Sequence, residues 1–287
     1  MIQYDRIAYV DIETEGDEDD IRVGEGFRVS FDAIKTRTST PNSATIQIWG
    51  LSDTTRNRIL ERDALVRVWA GYRLATGPEI LFIGNAQRII HRRQPPDIIT
   101  EIELGDGAKP LREARISVSF APGATYRQVL DDIAERLDLD LRLITDVDGD
   151  FPQGFSHLGP AKDALTKVCE RFDLEWSVQN DALQVIDRDG DSGEEAILLT
   201  PATGLIASPE KQDDTEDRLE GDNATIRPEY VFRCLLQPKF FPGSFVRVES
   251  RDVEGNFVID EVRHTGDTRG QDWHSEIGCR SVDDEDE

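Results

Sequence analysis

The sequence predicts a mainly β chain of the α+β class: two antiparallel β-barrel or sandwich domains with a small α/β insertion between them. Short runs with two-residue alternation recur between polar turns over residues 7–120 and again over 197–279. Between them the apolar period becomes helical, at Tyr126, Val129, Leu130, Ile133 and Leu137, and then at Ala161, Leu165, Val168 and Phe172. The expected divisions are 1–121 (N-terminal barrel), 122–190 (insertion), 191–282 (C-terminal barrel) and 283–287, an acidic tail with no apolar anchor that is expected to be disordered.

In chain order, Ile7 to Thr14 reads as a strand and Glu15 to Asp20 as an acidic turn. Phe27 to Asp32 alternates, with Phe27, Val29 and Phe31 on one face, and Ala44 to Trp49 places Ile46 and Ile48 inward. Asp53 to Glu61 is expected to be a short helix with Ser52 or Asp53 as N-cap. Val66 to Ala70, Ile80 to Ile83, Ile98 to Leu104 and Ile116 to Phe120 complete the first set of strands. Thr125-Tyr-Arg-Gln128 has the spacing of a capping box. Glu135-Arg-Leu-Asp-Leu-Asp-Leu141 aligns with Glu170-Arg-Phe-Asp-Leu-Glu-Trp176, so the insertion repeats a helix that ends in a strand. A hairpin turning at Asn180-Asp181 finishes it. Residues 187–195 read as a boundary, Ile197 to Thr200 as a strand and Ser208 to Asp222 as an exposed loop. The last barrel contains three strands: Phe245 to Glu249, Phe257 to Val262 and Trp273 to Cys279, the final two joined by a polar loop from His264 to Asp272.

Composition excludes several function classes. With 58 acidic against 33 basic residues the formal charge is −25, which repels phosphate backbones, so specific nucleic-acid binding is not expected. Only 6 of the 33 basic residues are Lys, and 34 of the acidic ones are Asp; a GC-rich genome and a salt-adapted host both fit this profile. No apolar run reaches membrane-spanning length and no basic-then-apolar leader follows Met1, so neither membrane insertion nor signal-peptide export is expected. Cys169, Cys234 and Cys279 lie too far apart in sequence for a CxxC site.

Two motifs imitate metal chemistry. Tyr9-Val-Asp-Ile-Glu-Thr-Glu-Gly16 is similar to the first motif of DEDD exonucleases, because Asp11 and Glu13 share a strand face and could bridge a divalent cation. The remaining carboxylates do not follow: Tyr126 precedes Asp131 and Asp132 at a different spacing, and Phe172-Asp173 lacks the upstream Asn. Asp146, Asp148 and Asp150 imitate part of a calcium loop without its Gly and Glu, and read as a solvated turn.

The late run carried by Leu235, Leu236, Pro238, Pro242, Gly243, Gly255, His264, Gly266, Asp267, Gly270, Asp272 and Trp273 resembles the C-terminal barrel of tail baseplate hub proteins, found in tailed bacteriophages and related contractile injection machines. Pro41, Asn42, Ala44, Ile46, Ile48, Leu51, Ala70, Gly71, Tyr72, Phe82 and Gly84 match the barrel that hubs share with tail-tube subunits. The resemblance covers most of the chain, most strongly 38–120 and 231–280, although many hubs are longer. It implies a non-enzymatic virion protein, assembled in the host cytoplasm, with no catalytic, cofactor-binding or metal site. His264 and Asp267 are expected to cap the hairpin loop. The partners implied are two further copies in a cyclic homotrimer, a tail-tube or distal tail protein, and a spike, fibre or other baseplate protein. The ring would join tube to spike and line the genome-ejection channel. The alternatives are the DEDD-type exonuclease and a stand-alone carbohydrate-binding β module, which would need an exposed aromatic platform.

Overall fold

A computed structural model of the chain describes residues 5–13, 20–59, 63–75, 77–145, 147–188, 196–206, 210–211 and 228–282. The first part comprises β1 (Arg6–Ile12), β2 (Ile21–Val23), β3 (Val29–Thr36), β4 (Ser43–Trp49), α1 (Asp53–Arg58), β5 (Leu65–Tyr72), β6 (Gly77–Gln94) and β7 (Asp97–Gly105). Alternation decides the inward faces: Ala44, Ile46 and Ile48 of β4 are buried while their neighbours are half-buried. Each of the two isoleucines contributes about 2 kcal/mol by leaving water. Ser52 caps α1 by accepting from the Thr55 amide at 3.1 Å. Strand β3 starts two residues later than expected and runs four residues further, leaving Phe27 38% exposed outside it.

The middle part comprises α2 (Ala108–Glu113), β8 (Arg115–Phe120), β9 (Ala124–Thr125), α3 (Tyr126–Leu137), β10 (Asp140–Ile144), β11 (Asp150–Phe151), β12 (Phe155–Pro160), α4 (Ala161–Arg171), β13 (Leu174–Val178) and β14 (Ala182–Asp187), so it starts before the expected residue 122: β8, read with the first set of strands, pairs with β12, and Leu111, Ile116 and Val118 join the apolar cluster of this layer. Thr125 and Gln128 form the reciprocal capping box at the start of α3. The internal repeat has a backbone counterpart. Asp138 after α3 and Asp173 after α4 both adopt positive φ (56° and 55°), and each helix then leads into a strand, β10 or β13. Both strands pair with β14, β10 in parallel and β13 antiparallel. A separate apolar cluster, built largely from α3, α4, β13 and β14, fills this layer.

The last part comprises β15 (Ile197–Leu199), β16 (Glu210–Lys211), β17 (Tyr230–Leu235), β18 (Phe245–Glu249), β19 (Glu254–Asp267) and β20 (Trp273–Val282). Strand β16 replaces the loop expected there at two positions; the rest of the 208–222 reading, most of the acidic turn and the 283–287 tail lie outside the described residues. The polar loop is shorter than expected: β19 continues through His264 to Asp267, leaving 268–272 as the turn.

The two β-rich parts share one sheet, which the sequence did not reveal. Among the described residues its order is β16-β17-β20-β19-β3-β4-β7-β6-β5-β1-β2, with β18 on β19 and β15 on β18. Strands β3 and β19 pair from Glu261↔Thr36 to Asp267↔Ser30. Strands from both ends of the β3-to-β1 path contribute to one cluster, so this stretch curls around its core without a closing hydrogen-bonded seam among the described residues. Trp273 and Leu236 from the last part pack into that same cluster, and Trp273 meets Phe31 edge-on at 5.4 Å. Gly266 permits the approach, since a Cβ there would lie 2.2 Å from the Phe31 ring. Among the described residues no helix is long and apolar enough to cross a membrane.

Candidate functional site

All three parts meet beneath the C-terminal end of β3, where two cations lie in positions that usually take apolar side chains. Lys35 follows Val29, Phe31 and Ala33 on the inward face and is 1% exposed. Arg37, just past the strand end, is 2% exposed. A buried charge persists only where it is matched by hydrogen bonds or opposite charge.

Arg37 is matched by groups from both other parts. Its guanidinium donates to the Asp187 and Arg188 carbonyls at 3.1 and 3.0 Å, at the end of β14. It also pairs with Glu175 of β13 at 3.2 Å and Asp260 of β19 at 3.3 Å. Asp260 stands at the register shift between Ile259 and Glu261, and a bulge of this kind re-aims a side chain. Arg280 approaches the same carboxylate at 3.8 Å. Burial pushes Glu175 and Asp260 upward, and the surrounding arginines oppose that.

A second network clamps the β13–β14 turn. Asn180 and Asp181 both have positive φ (53° and 66°), and their amides donate to Asp106 at 2.6 and 3.0 Å. Burial raises Asp106 to about 6, despite these amides and the nearby Lys35. Asn42 donates to the Val178 carbonyl at 2.8 Å and to Gln179 Oε1 at 3.0 Å, and accepts from the Thr36 amide at 2.8 Å. Gln179 donates in turn to the Thr36 carbonyl at 2.8 Å. On the opposite side Gln184 donates to the Pro242 carbonyl at 3.1 Å, so the Pro-Gly pair of the late motif touches the insertion.

Lys35 Nζ donates to Asn180 Oδ1 at 2.9 Å and lies 5.8 Å from the Phe82 ring centre. Burial lowers it to about 8, against the pull of Asp106 and with the push of Arg142. Beside it opens a cavity of about 410 Å³ whose wall includes Lys35, Arg142, Lys239 and Glu79. Each of the three parts contributes to that wall, and Lys239 pairs with Glu79 at 3.5 Å.

The motifs singled out in the sequence lie elsewhere and stay apart. Asp11 is held by Arg22 through two bonds of 2.6 Å and by Trp69 Nε1 at 3.0 Å, and Glu13 pairs with Arg67. Asp132 pairs with Arg136 along the surface of α3 at 2.6 Å, and Tyr126 donates to the Val147 carbonyl. Asp173 sits in the turn after α4 beside Arg188, and Asp146 lies outside the described residues. Among the described residues no three His, Cys, Asp or Glu gather as a metal site. Trp176 and Trp273 are buried and Trp49 and Trp69 half-buried, so none of the four forms an exposed platform.

Asp267 does cap the hairpin turn, accepting from the Arg269 and Gly270 amides at 2.9 Å. Burial would raise its pKa, but Arg28, bound through both oxygens, and the two amides hold it below the usual range. His264 does not cap the loop: it is wholly buried inside β19, bonded to Ser275 Oγ at 2.8 Å. Burial, followed by the charge of Lys35, lowers it to about 3.

Sequence reasoning missed Lys35, Arg37, Asp106, Asp260 and Arg142. The available signal was the uninterrupted alternation from Val29 through Lys35, with a rare Lys at an inward position.

No protein-family model matches the chain, and no curated protein sequence does so. Its fold is that of several solved tail proteins. The tail protein from Neisseria meningitidis aligns with a TM-score of 0.66 and 13% identity, over 96% of this chain and 97% of that one. The 43 kDa tail protein of prophage MuSo2 from Shewanella oneidensis aligns at 0.64 and 10%, over 94% and 96%. A type VI secretion system component of Escherichia coli, described as similar in structure to the bacteriophage T4 tail proteins gp27 and gp5, aligns at 0.60 and 13%, over 95% and 77%.

Proposed function

We propose that the chain is a structural baseplate hub subunit of a virus tail, one of three copies in a ring between the tail tube and a spike or fibre assembly. The observation that supports this most is the end-to-end likeness to tail proteins, over 94% to 97% of both partners in two alignments. Alignments that long must run through most of residues 122–190, which supports a likeness of the whole chain over that of a lone barrel. The clamped junction supports the same reading, because a ring that transmits force between tube and spike needs its parts held at fixed angles. On this reading the protein is non-enzymatic, sits at the tail tip, and contributes acidic surface to a channel wall to which DNA does not adhere.

The exonuclease reading gains nothing from the geometry. Asp11 and Glu13 are engaged by Arg22, Trp69 and Arg67, and a metal would have to displace these partners. The proposal is tested by immunogold labelling of intact particles with antibody against this chain. Label confined to one end of the tail is the expected result, and label along the tube or on the head contradicts it.

A further inference from the structure

We infer that the cavity beside Lys35 is a binding site for a carboxylate carried on a short apolar body, an activity separate from the hub role and not dependent on it. The buried ammonium is the first ground. It has three N–H donors and, among the described residues, one neutral acceptor, Asn180 Oδ1 at 2.9 Å. Among the described residues no carboxylate oxygen comes within the 4.0 Å of an ion pair. Asp106, buried and bonded to the amides of Asn180 and Asp181, attracts the ammonium from beyond ion-pair distance. The buried ammonium therefore has an attracting carboxylate but no direct ion pair among the described residues, and the cavity beside it has room for an anion.

The rim supplies the second ground. Exposed Arg142 has no ion pair among the described residues, and Lys239 shares a single carboxylate, Glu79, at 3.5 Å. Three cations therefore face one carboxylate in a chain whose overall charge is −25, so this pocket departs locally from the acidic whole. The volume, about 410 Å³, suits a small ligand.

Wall chemistry selects among anions. Ile80, Ile197, Pro238 and Phe241 line the same cavity, and an apolar surface there favours a ligand with methylene groups over bare phosphate. Nucleic acid would have to approach against the net charge. The same carboxylate chemistry has two sources, a free dicarboxylate or an acidic side chain on a docked protein segment.

Calorimetric titration of the full chain at neutral pH decides the question, with glutarate, acetyl-Glu-Leu-amide and inorganic phosphate as probes. At least one carboxylate probe is expected to bind tenfold or more tightly than phosphate; the tighter of the two identifies the source. Arg142→Ala, an exposed site that leaves the core intact, and Lys35→Met are each expected to weaken that binding at least tenfold. If Lys35→Met does not fold, Arg142→Ala decides alone. No heat from either carboxylate probe, equal affinity for phosphate, or full affinity in folded Arg142→Ala overturns the inference.

Discussion

The environment of Lys35 makes a quantitative demand on stability. Its ammonium is buried and its pKa lies at about 8, below the ordinary 10.5. Between those values the unfolded chain holds more of this proton than the folded chain, so this group's contribution to stability rises as pH increases through the window. The full change is roughly 3 kcal/mol. Unfolding of the wild-type chain and of Lys35→Met, compared from pH 8 to 10.5, is expected to move in favour of wild type by about that amount. A difference that stays constant across the window would show that the ammonium is not desolvated. Such residues were only partly legible from their neighbours in the chain. Asp267 was readable as a cap because Gly266 and Gly270 flank it with residues typical of turns, although only Gly270 lies in the turn and Gly266 belongs to β19. Lys35, Arg37 and His264 were not readable: a charged side chain normally signals the solvent face and a His beside Gly and Asp signals a loop, whereas Arg37 is matched by carbonyls and carboxylates distant in sequence, Lys35 is held by Asn180, and His264 is bonded to Ser275 inside the sheet.

At the scale of elements, local chemistry was legible and pairing was not. The capping box at Thr125, the Ser52 cap and the Asn180-Asp181 turn depend on residues within a few positions of one another, and all three are observed. Strand β6 was read only over Ile80 to Ile83, yet it spans Gly77–Gln94. Arg88, His91, Arg92 and Arg93 conceal its second half, which is fixed by pairing with β7. Strand β19 likewise pairs with β18 over its first half and β3 over its second, with the bulge at Asp260 between. The clamp on the β13–β14 turn makes a further prediction. Native-state hydrogen exchange should give the amides of β14 the same protection as those of β4, because opening the hairpin must also break the Asp106 and Asn42 networks. In Asp106→Ala the β14 amides should lose protection while β4 keeps it. A wild-type hairpin that exchanges well before β4 contradicts the rigid junction.

For the whole molecule, the apolar pattern revealed a mainly β chain with a helical insertion, whereas the pairing of β3 with β19 joins residues more than two hundred positions apart and has no local signature. The charge of −25 also acts at this scale. Repulsion among surface carboxylates weakens as salt shortens its reach to about 3 Å near 1 M. The thermal midpoint is therefore expected to rise between low and molar KCl; a flat or falling midpoint would leave a channel wall as the remaining account of the acidity. The central claim is tested most directly by a cryo-EM reconstruction of the tail tip that counts this chain around the axis. Three copies in one closed ring, each using different patches toward its two neighbours, are predicted. Six copies in a ring, or a single copy off the axis, would contradict the hub assignment.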